Sequence, residues 1–312
     1  MNNFLYCFDS NYNIQGFCSI ISLLNNSLNK IDIYIIHQDP GSFTEFSKII
    51  NDHQKLNSLK IYKFLEKNLN FPNLENKHVS EATYYRLFMH KYLPTNLDFV
   101  FYIDADAFLI NNYEEKLKNE ILKLKNSTHC LSALTKNSNF HHKRLKLKKP
   151  KYMNAGILLI NYKKWLETNV SEALLQILHE PKLELEFWDQ DVLNIYLSGE
   201  YEELDASLNY NVYGDQQSSQ DALKTIENEA IIVHYSGKHK PWSPKGVYSI
   251  ESKFYIEIYR QIFDEKYHIV NIWSQNTLKI IIKNILNLNI LKLEYPVSYL
   301  MITLRSIFNK FK

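Results

Sequence analysis

Short apolar runs alternate with longer amphipathic stretches through the first hundred residues. Such alternation predicts strands and helices in turn around a mainly parallel sheet, an α/β architecture. Residues 4–8 form one apolar run, and residues 16–28 carry Phe17, Ile20, Ile21, Leu24 and Leu28 at helical spacing. Residues 31–37, rich in Ile and Tyr, read as the next strand. A helix over 42–53, a strand over 59–64 and a helix over 82–92 continue the series. Residues 99–103 then make a short, wholly apolar strand that runs directly into acids. Further on, the pattern predicts a helix over 114–125, strands over 130–135 and 157–160, a helix through Trp165 and Leu174, a helix over 189–197 and a strand over 230–234.

With 312 residues, 45% of them hydrophobic and 22% charged, the chain is large enough to bury a full core and is not disordered in composition. Lys and Arg number 36 against 34 Asp and Glu, a net charge of +2 that excludes wholesale polyanion binding; no nucleic-acid partner is expected. The balance is uneven along the chain, however. Residues 271–312 hold five Lys and one Arg against one Glu, a local +5, which leaves −3 for residues 1–270.

Two amphipathic stripes occupy that tail. Leu278, Ile281, Ile282 and Ile285 lie beside Lys279 and Lys283, and Val297, Leu300, Leu304, Phe308 and Phe311 lie beside Arg305, Lys310 and Lys312. Helices that complete a core would show this pattern, and so would a basic anchor on an anionic leaflet; the anchor is the favoured expectation. A second basic run, residues 141–151 with six cations and no acid, reads as a solvated loop. Three cysteines, Cys7, Cys18 and Cys130, give neither a disulfide framework nor a thiolate zinc spacing, and they fit a reducing compartment. No Lys or Arg precedes Lys30, so the positive region of a signal peptide is missing, and no run approaches the roughly 20 apolar residues of a spanning helix. A cytoplasmic location is expected.

The candidate chemistry begins at Asp104-Ala105-Asp106. Two carboxylates follow the apolar strand at its carboxyl end, the edge where open α/β sheets bind ligands. In an extended segment residues i and i+2 point the same way, so both acids are expected to face one hard divalent cation. A lone D-x-D is weak, and its companions add weight. Asn154-Ala155-Gly156 precedes a buried strand, Trp188-Asp189-Gln190-Asp191 opens an apolar helix, and His234-Tyr235-Ser236-Gly237-Lys238-His239-Lys240 sets an imidazole, a Gly and cations after a strand.

In this order the motifs resemble the family 8 glycosyltransferases, retaining enzymes of GT-A fold that include bacterial lipopolysaccharide galactosyl- and glucosyltransferases and glycogenin. Cys7-Phe8-Asp9-Ser10-Asn11-Tyr12 and Thr83-Tyr84-Tyr85-Arg86-Leu87 extend the resemblance, which covers roughly residues 4 to 245. It implies a GT-A catalytic domain with a Rossmann-like nucleotide-diphospho-sugar transferase fold; as no domain boundary is legible before about residue 270, that domain is expected over 1–270 and the basic helical region over 271–312. It implies UDP-galactose or UDP-glucose as donor, Mn2+ or Mg2+ as metal, and a glycolipid oligosaccharide as acceptor, reached at the cytoplasmic face of an anionic inner membrane. A protein or storage-polymer acceptor, as for glycogenin, and a non-catalytic UDP-sugar-binding module are the alternatives.

The implied roles fall on residues of this sequence as follows. Asp9 and Asn11, with Cys7, Phe8 and Tyr12 around them, hold uracil and ribose. Asp104, Asp106 and His234 bind the metal, with Ala105 between the acids. Arg86, Asn154 and Ala155 line the donor, Gly237 and Lys240 grip the diphosphate, and His78 sits on a loop over the donor. Asp189 and Gln190 are the candidate catalytic residues.

Overall fold

The computed structural model describes residues 2–310 apart from 67–70, 73–79, 137–138, 181–183, 214–218 and 271–274. The chain divides into two compact units, Met1–Asn209 and Tyr210–Lys312.

In the first unit the strands are β1 (Asn3–Phe8), β2 (Ile31–His37), β3 (Leu56–Lys63), β4 (Phe99–Ile103), the short β5 (Ala107–Leu109), β6 (Leu131–Lys136), β7 (Tyr152–Asn161) and the two-residue β8 (Glu202–Glu203). Seven of these form one sheet in the order β3-β2-β1-β4-β7-β6-β8. The pairs β2–β3, β1–β2, β1–β4 and β6–β8 are parallel, and β7 alone runs against its neighbours. β1, β2 and β4 therefore deliver their carboxyl ends, and the polar residues that follow, to one edge.

The helices of this unit are α1 (Asn13–Asn25), α2 (Thr44–Asn51), α3 (Glu114–Lys125), α4 (Asn139–Leu145), α5 (Tyr162–Glu167), α6 (Val170–Leu178) and α7 (Trp188–Leu197). α1 begins and ends three residues earlier than its apolar spacing predicts. The Asp9 carboxylate accepts from Asn11 N at 3.0 Å and caps a short 3-10 turn, Ser10–Tyr12, that runs straight into the helix. Leu28, expected on its apolar face, falls beyond its end and is exposed. Gly16 is needed where α1 crosses β1, since a Cβ there would lie 2.9 Å from the Phe8 ring.

Three further expectations need correcting. Residues 82–92 do not form an α-helix but a 3-10 helix, Glu81–Lys91, capped by the Ser80 side chain. Aromatic stacking fixes it, Tyr85 on Phe64 at 3.8 Å and Tyr84 on Phe71 at 4.8 Å between centroids. The strand expected over 157–160 is the ten-residue β7, whose polar start at Tyr152 hides it from a hydrophobic pattern. The basic run at 141–151 is not all loop, because α4 covers its first five residues.

The second unit contains the parallel pair β9 (Tyr210–Val212) and β10 (Ile232–Tyr235), then α8 (Gln220–Glu229), α9 (Lys253–Phe263), α10 (Gln275–Leu286) and α11 (Pro296–Lys310). Gly246 is irreplaceable by contact, because a Cβ would stand 2.1 Å from the Lys240 carbonyl oxygen. Among the described residues no helix is long and apolar enough to cross a membrane.

His268 is a half-buried histidine of this unit. Its Nδ1 lies 2.5 Å from the Tyr255 hydroxyl and its ring lies against Tyr259. Burial lowers its pKa to about 4, against ~6.5 for an unfolded chain. On acidification the unfolded chain takes up a proton near pH 6.5 that the folded unit refuses until about pH 4. Stability is thus lost as pH falls through that window, by up to about 3 kcal/mol. Urea midpoints measured from pH 7 to pH 4 should show this fall, and His268→Gln should flatten it.

Candidate active site

Asp104 follows β4 at the carboxyl edge, and its surroundings define the site. Its N–H donates to Gly156 O on β7 at 2.8 Å, and Ala107 N closes a turn onto Asp104 O at 3.1 Å. Asp104-Ala105-Asp106 is therefore a tight turn, not the extended segment expected from the alternation of side chains along a strand. α1 holds the exit of that turn: Ser19 Oγ donates to Ala107 O, and Leu109 N donates to Ser22 Oγ at 3.0 Å.

Arg86, buried on the 3-10 helix, is the centre of the polar cluster. Its Nη2 donates to Asp104 Oδ1 at 2.8 Å, its Nε pairs with Asp189 Oδ2 at 2.9 Å, and its Nη1 donates to Ala155 O. The guanidinium carbon also lies 3.9 Å from the centroid of the Tyr102 ring. Burial disfavours the charged guanidinium, but the carboxylates of Asp104 and Asp189 outweigh it and hold the group above its ordinary pKa. Tyr102 adds its hydroxyl to the same Asp104 Oδ1. Both donors address one oxygen and fix the carboxylate in one orientation.

Asp189 opens α7 and is 3% exposed. Burial pushes its carboxyl up to about 6, with Arg86 and a hydrogen bond from Thr83 Oγ1 opposing the rise. The preceding residue, Trp188, has φ +46°, a left-handed conformation that an L side chain enters at a cost of ~1–2 kcal/mol. The strain sits where the chain must turn Asp189 into contact with Arg86.

Gln190 faces β7. Its Oε1 accepts from Ala155 N at 3.0 Å and from Asn154 Nδ2 at 3.4 Å, and its Nε2 donates to the Tyr152 hydroxyl at 2.8 Å. Asn154 Oδ1 accepts from Gly156 N at 3.1 Å and Asn209 Nδ2 at 2.9 Å. Asn194, one turn along α7, pairs with both backbone groups of Met153, at 2.7 and 3.0 Å, and fastens the helix to the strand.

The first unit thus brings together Arg86, Asp104, Asn154, Ala155, Asp189 and Gln190. Ala105 is buried at the centre of the acidic turn, and Asp106 is its half-buried third residue. Asp9 and Asn11 form their own capped turn at the end of β1, with Asn11 exposed and Tyr12 half-buried. Cys7 and Phe8 point into the core: burial raises the Cys7 thiol well above its ordinary range, and the Phe8 ring packs on His37 and Phe43. His78 lies outside the described residues.

In the second unit His234 is buried in β10, opposite Asn211. Gly237 has φ +82°, and a Cβ there would make only an ordinary contact with the Tyr213 ring at 3.7 Å, so backbone conformation and not crowding requires glycine. The Lys240 ammonium donates to Tyr235 O. Sequence reasoning gave no role to Thr83, Tyr102, Arg144 or Tyr152. Thr83 lay in the motif around Arg86, and Tyr102 lay on the strand that ends just before Asp104; Arg144 and Tyr152 carried no such signal.

A family model described as Glycosyl transferase family 8 matches residues 3–246. The chain belongs to glycosyltransferase family 8. A lipopolysaccharide 1,2-glucosyltransferase of Escherichia coli (strain K12) is 28% identical over 263 residues, 79% of this chain and 74% of that protein. A lipopolysaccharide 1,3-galactosyltransferase of Salmonella typhimurium (strain LT2) is 27% identical over 184 residues, 57% of this chain and 54% of that protein. The crystal structure of the galactosyltransferase LgtC with donor and acceptor sugar analogs superposes with a TM-score of 0.66, at 17% identity, over 89% of this chain and 99% of that one. The fold is GT-A, as expected, and the protein is a glycosyltransferase of a family that uses nucleotide-sugar donors.

The Arg86 cluster is testable as a structural unit. Removing the guanidinium leaves Asp189 buried beside Asp104 with no compensating charge. Arg86→Ala should cost about 3–5 kcal/mol in urea unfolding, and Arg86→Lys, which keeps the charge but loses the fork, should fall in between.

Proposed function

We propose that this glycosyltransferase is a metal-dependent, retaining hexosyltransferase that moves galactose or glucose from UDP to the oligosaccharide of a lipopolysaccharide or lipooligosaccharide. One observation carries the reading: within a family 8 chain, Asp104 stands at the carboxyl end of β4 with its orientation fixed by Arg86 and Tyr102. The lipopolysaccharide galactosyl- and glucosyltransferases among its relatives support the donor sugars and the acceptor class.

Asp104 and Asp106 offer hard oxygen ligands, and with His234 they make a donor set suited to Mn2+ or Mg2+. Such an ion, when bound, neutralises the charge that develops on a departing diphosphate. Asp9 and Asn11, flanked by Cys7, Phe8 and Tyr12, take the uridine, and Gly237 and Lys240 take the diphosphate. Arg86 holds Asp104 and Asp189 in place, and Asp189, Gln190 and Asn154 present their polar atoms to the sugar. Front-face attack by the acceptor hydroxyl fits these side chains, because a carboxamide is a poor nucleophile and the oxygens of Asp189 are engaged by Arg86 and Thr83. UDP release from UDP-hexose should require Mn2+, stop with EDTA and resume when Mn2+ is restored. Asp106→Ala should lower kcat/KM by about 100-fold or more; EDTA-resistant activity in wild type overturns the metal assignment.

The division of labour proposed along the chain is catalysis in residues 1–270 and membrane contact in 271–312. α10 exposes Leu278, Ile282, Ile285 and Leu286 beside Lys279 and Lys283, and α11 exposes Val297, Met301 and Leu304 beside Arg305. Tyr299 and Thr303 on the other side of α11 are buried, as is Ile281 on α10. An apolar face edged with cations suits an anionic leaflet, here the cytoplasmic face of an inner membrane. The protein should co-sediment with phosphatidylglycerol vesicles and not with phosphatidylcholine vesicles, and Lys279→Glu/Lys283→Glu should reduce binding several-fold. Equal binding to both vesicle types would remove the charge-based part of the proposal.

A further inference from the structure

Tyr152, at the start of β7, is buried, and its hydroxyl stands between two consecutive residues of α7. It lies 2.8 Å from Gln190 Nε2 and 2.7 Å from Asp191 Oδ1. A hydroxyl has one proton, and a carboxylate can only accept. The proton therefore goes to Asp191, and the amide nitrogen of Gln190, not its oxygen, must face Tyr152. The other end of the amide agrees, because Ala155 N–H can only donate and lies 3.0 Å from Oε1. Both ends of the Gln190 carboxamide are thus assigned by partners whose roles are fixed.

Asp191 is itself immobilised. It is wholly buried and accepts from Arg144 Nη2 on both oxygens, at 2.8 and 2.9 Å, and from the N–H groups of Glu186 and Phe187 on Oδ2, at 2.8 and 2.9 Å. Arg144 comes from α4, inside the basic run, and the adjacent His141 ring stacks on Tyr152 at 4.5 Å between centroids. The order of constraint runs from Arg144 to Asp191, to the Tyr152 hydroxyl, to Gln190.

We propose that Tyr152, oriented by the Arg144–Asp191 pair, is a positioning residue that fixes the Gln190 carboxamide for glycosyl transfer. This rests on the functional reading in which Gln190 borders the reacting sugar. Loss of a fixed geometry at a reacting centre lowers turnover while nucleotide affinity, set by other residues, is spared.

Tyr152→Phe removes only the hydroxyl. In UDP-hexose hydrolysis with Mn2+, kcat should fall about 10- to 100-fold, with KM for the donor and Kd for UDP both within about twofold. In a Gln190→Ala background the same change should have no further effect. Arg144→Lys should give a smaller drop in the same direction, and wild-type kcat in that variant removes Arg144 from the relay. Wild-type kcat in Tyr152→Phe overturns the proposal, as does a parallel loss of UDP affinity, or an effect that persists at full size without Gln190. A readout independent of turnover separates this from failure of the functional reading. In 15N-labelled protein the Gln190 side-chain amide, assigned by its absence in Gln190→Ala, should exchange slowly with solvent in wild type and at least tenfold faster in Tyr152→Phe. Unchanged exchange overturns the positioning role even if wild type turns over no UDP-sugar.

Discussion

A guanidinium shut away from water must find acceptors and counter-charge, and those that Arg86 finds tie the first unit together at its sheet edge. One group reaches the turn after β4, one reaches α7 and one reaches the backbone of β7, while the side chain issues from the 3-10 helix. Four chain segments, remote in sequence, meet on one cation. The arrangement is unforgiving, because each carboxylate is acceptable at that depth only beside the charge and the charge only beside the carboxylates. The geometry of this edge is accordingly set by folding before any ligand arrives, as electrostatic preorganisation requires.

The same economy governs α7. Its first turn carries two buried acids and an amide, and each is used to fasten the helix as well as to face the site. Asp189 holds Arg86, Gln190 caps the backbone of Ala155, and Asn194 takes both backbone groups of Met153. The strained backbone at Trp188 is consistent with that load, since several hydrogen bonds of about 1 kcal/mol each outweigh one unfavourable φ. Polar residues at the start of β7 would be out of place in a buried strand were they not paired from α7.

Much of this was legible in the sequence. The strands Ile31–His37 and Phe99–Ile103 and the helix Glu114–Lys125 occur where the spacing of apolar residues places them, because burial on one or both faces is what that spacing encodes. Elements governed by polar contacts were not legible to the same degree. The shift of α1 follows from a side-chain cap at Asp9, and the length of β7 follows from partners more than thirty residues away. The acids of the site announced themselves because they break an apolar run at a strand end. Arg144 did not, because in sequence it is one of six cations in a basic run and only the fold turns it inward to Asp191.

The commitments of these acids bear on the retaining transfer proposed above. A covalent glycosyl-enzyme needs a carboxylate free to approach the anomeric carbon. Asp191 would have to abandon Arg144, two backbone N–H groups and the Tyr152 hydroxyl, and hydrogen bonds to a charged group contribute about 1.5–3 kcal/mol each. Asp189 would have to abandon one of the two carboxylate contacts of a buried guanidinium and the Thr83 hydroxyl, again at a cost in buried charge pairing. Gln190 is bound at both ends of its amide, and its nitrogen-bearing carbonyl is a weak nucleophile in any case. Each candidate nucleophile thus gives up buried charge pairs or hydrogen bonds, whereas an acceptor hydroxyl entering from solvent gives up only hydrogen bonds to water. The rigidity of this cluster is therefore itself an argument for front-face transfer in the proposed reaction.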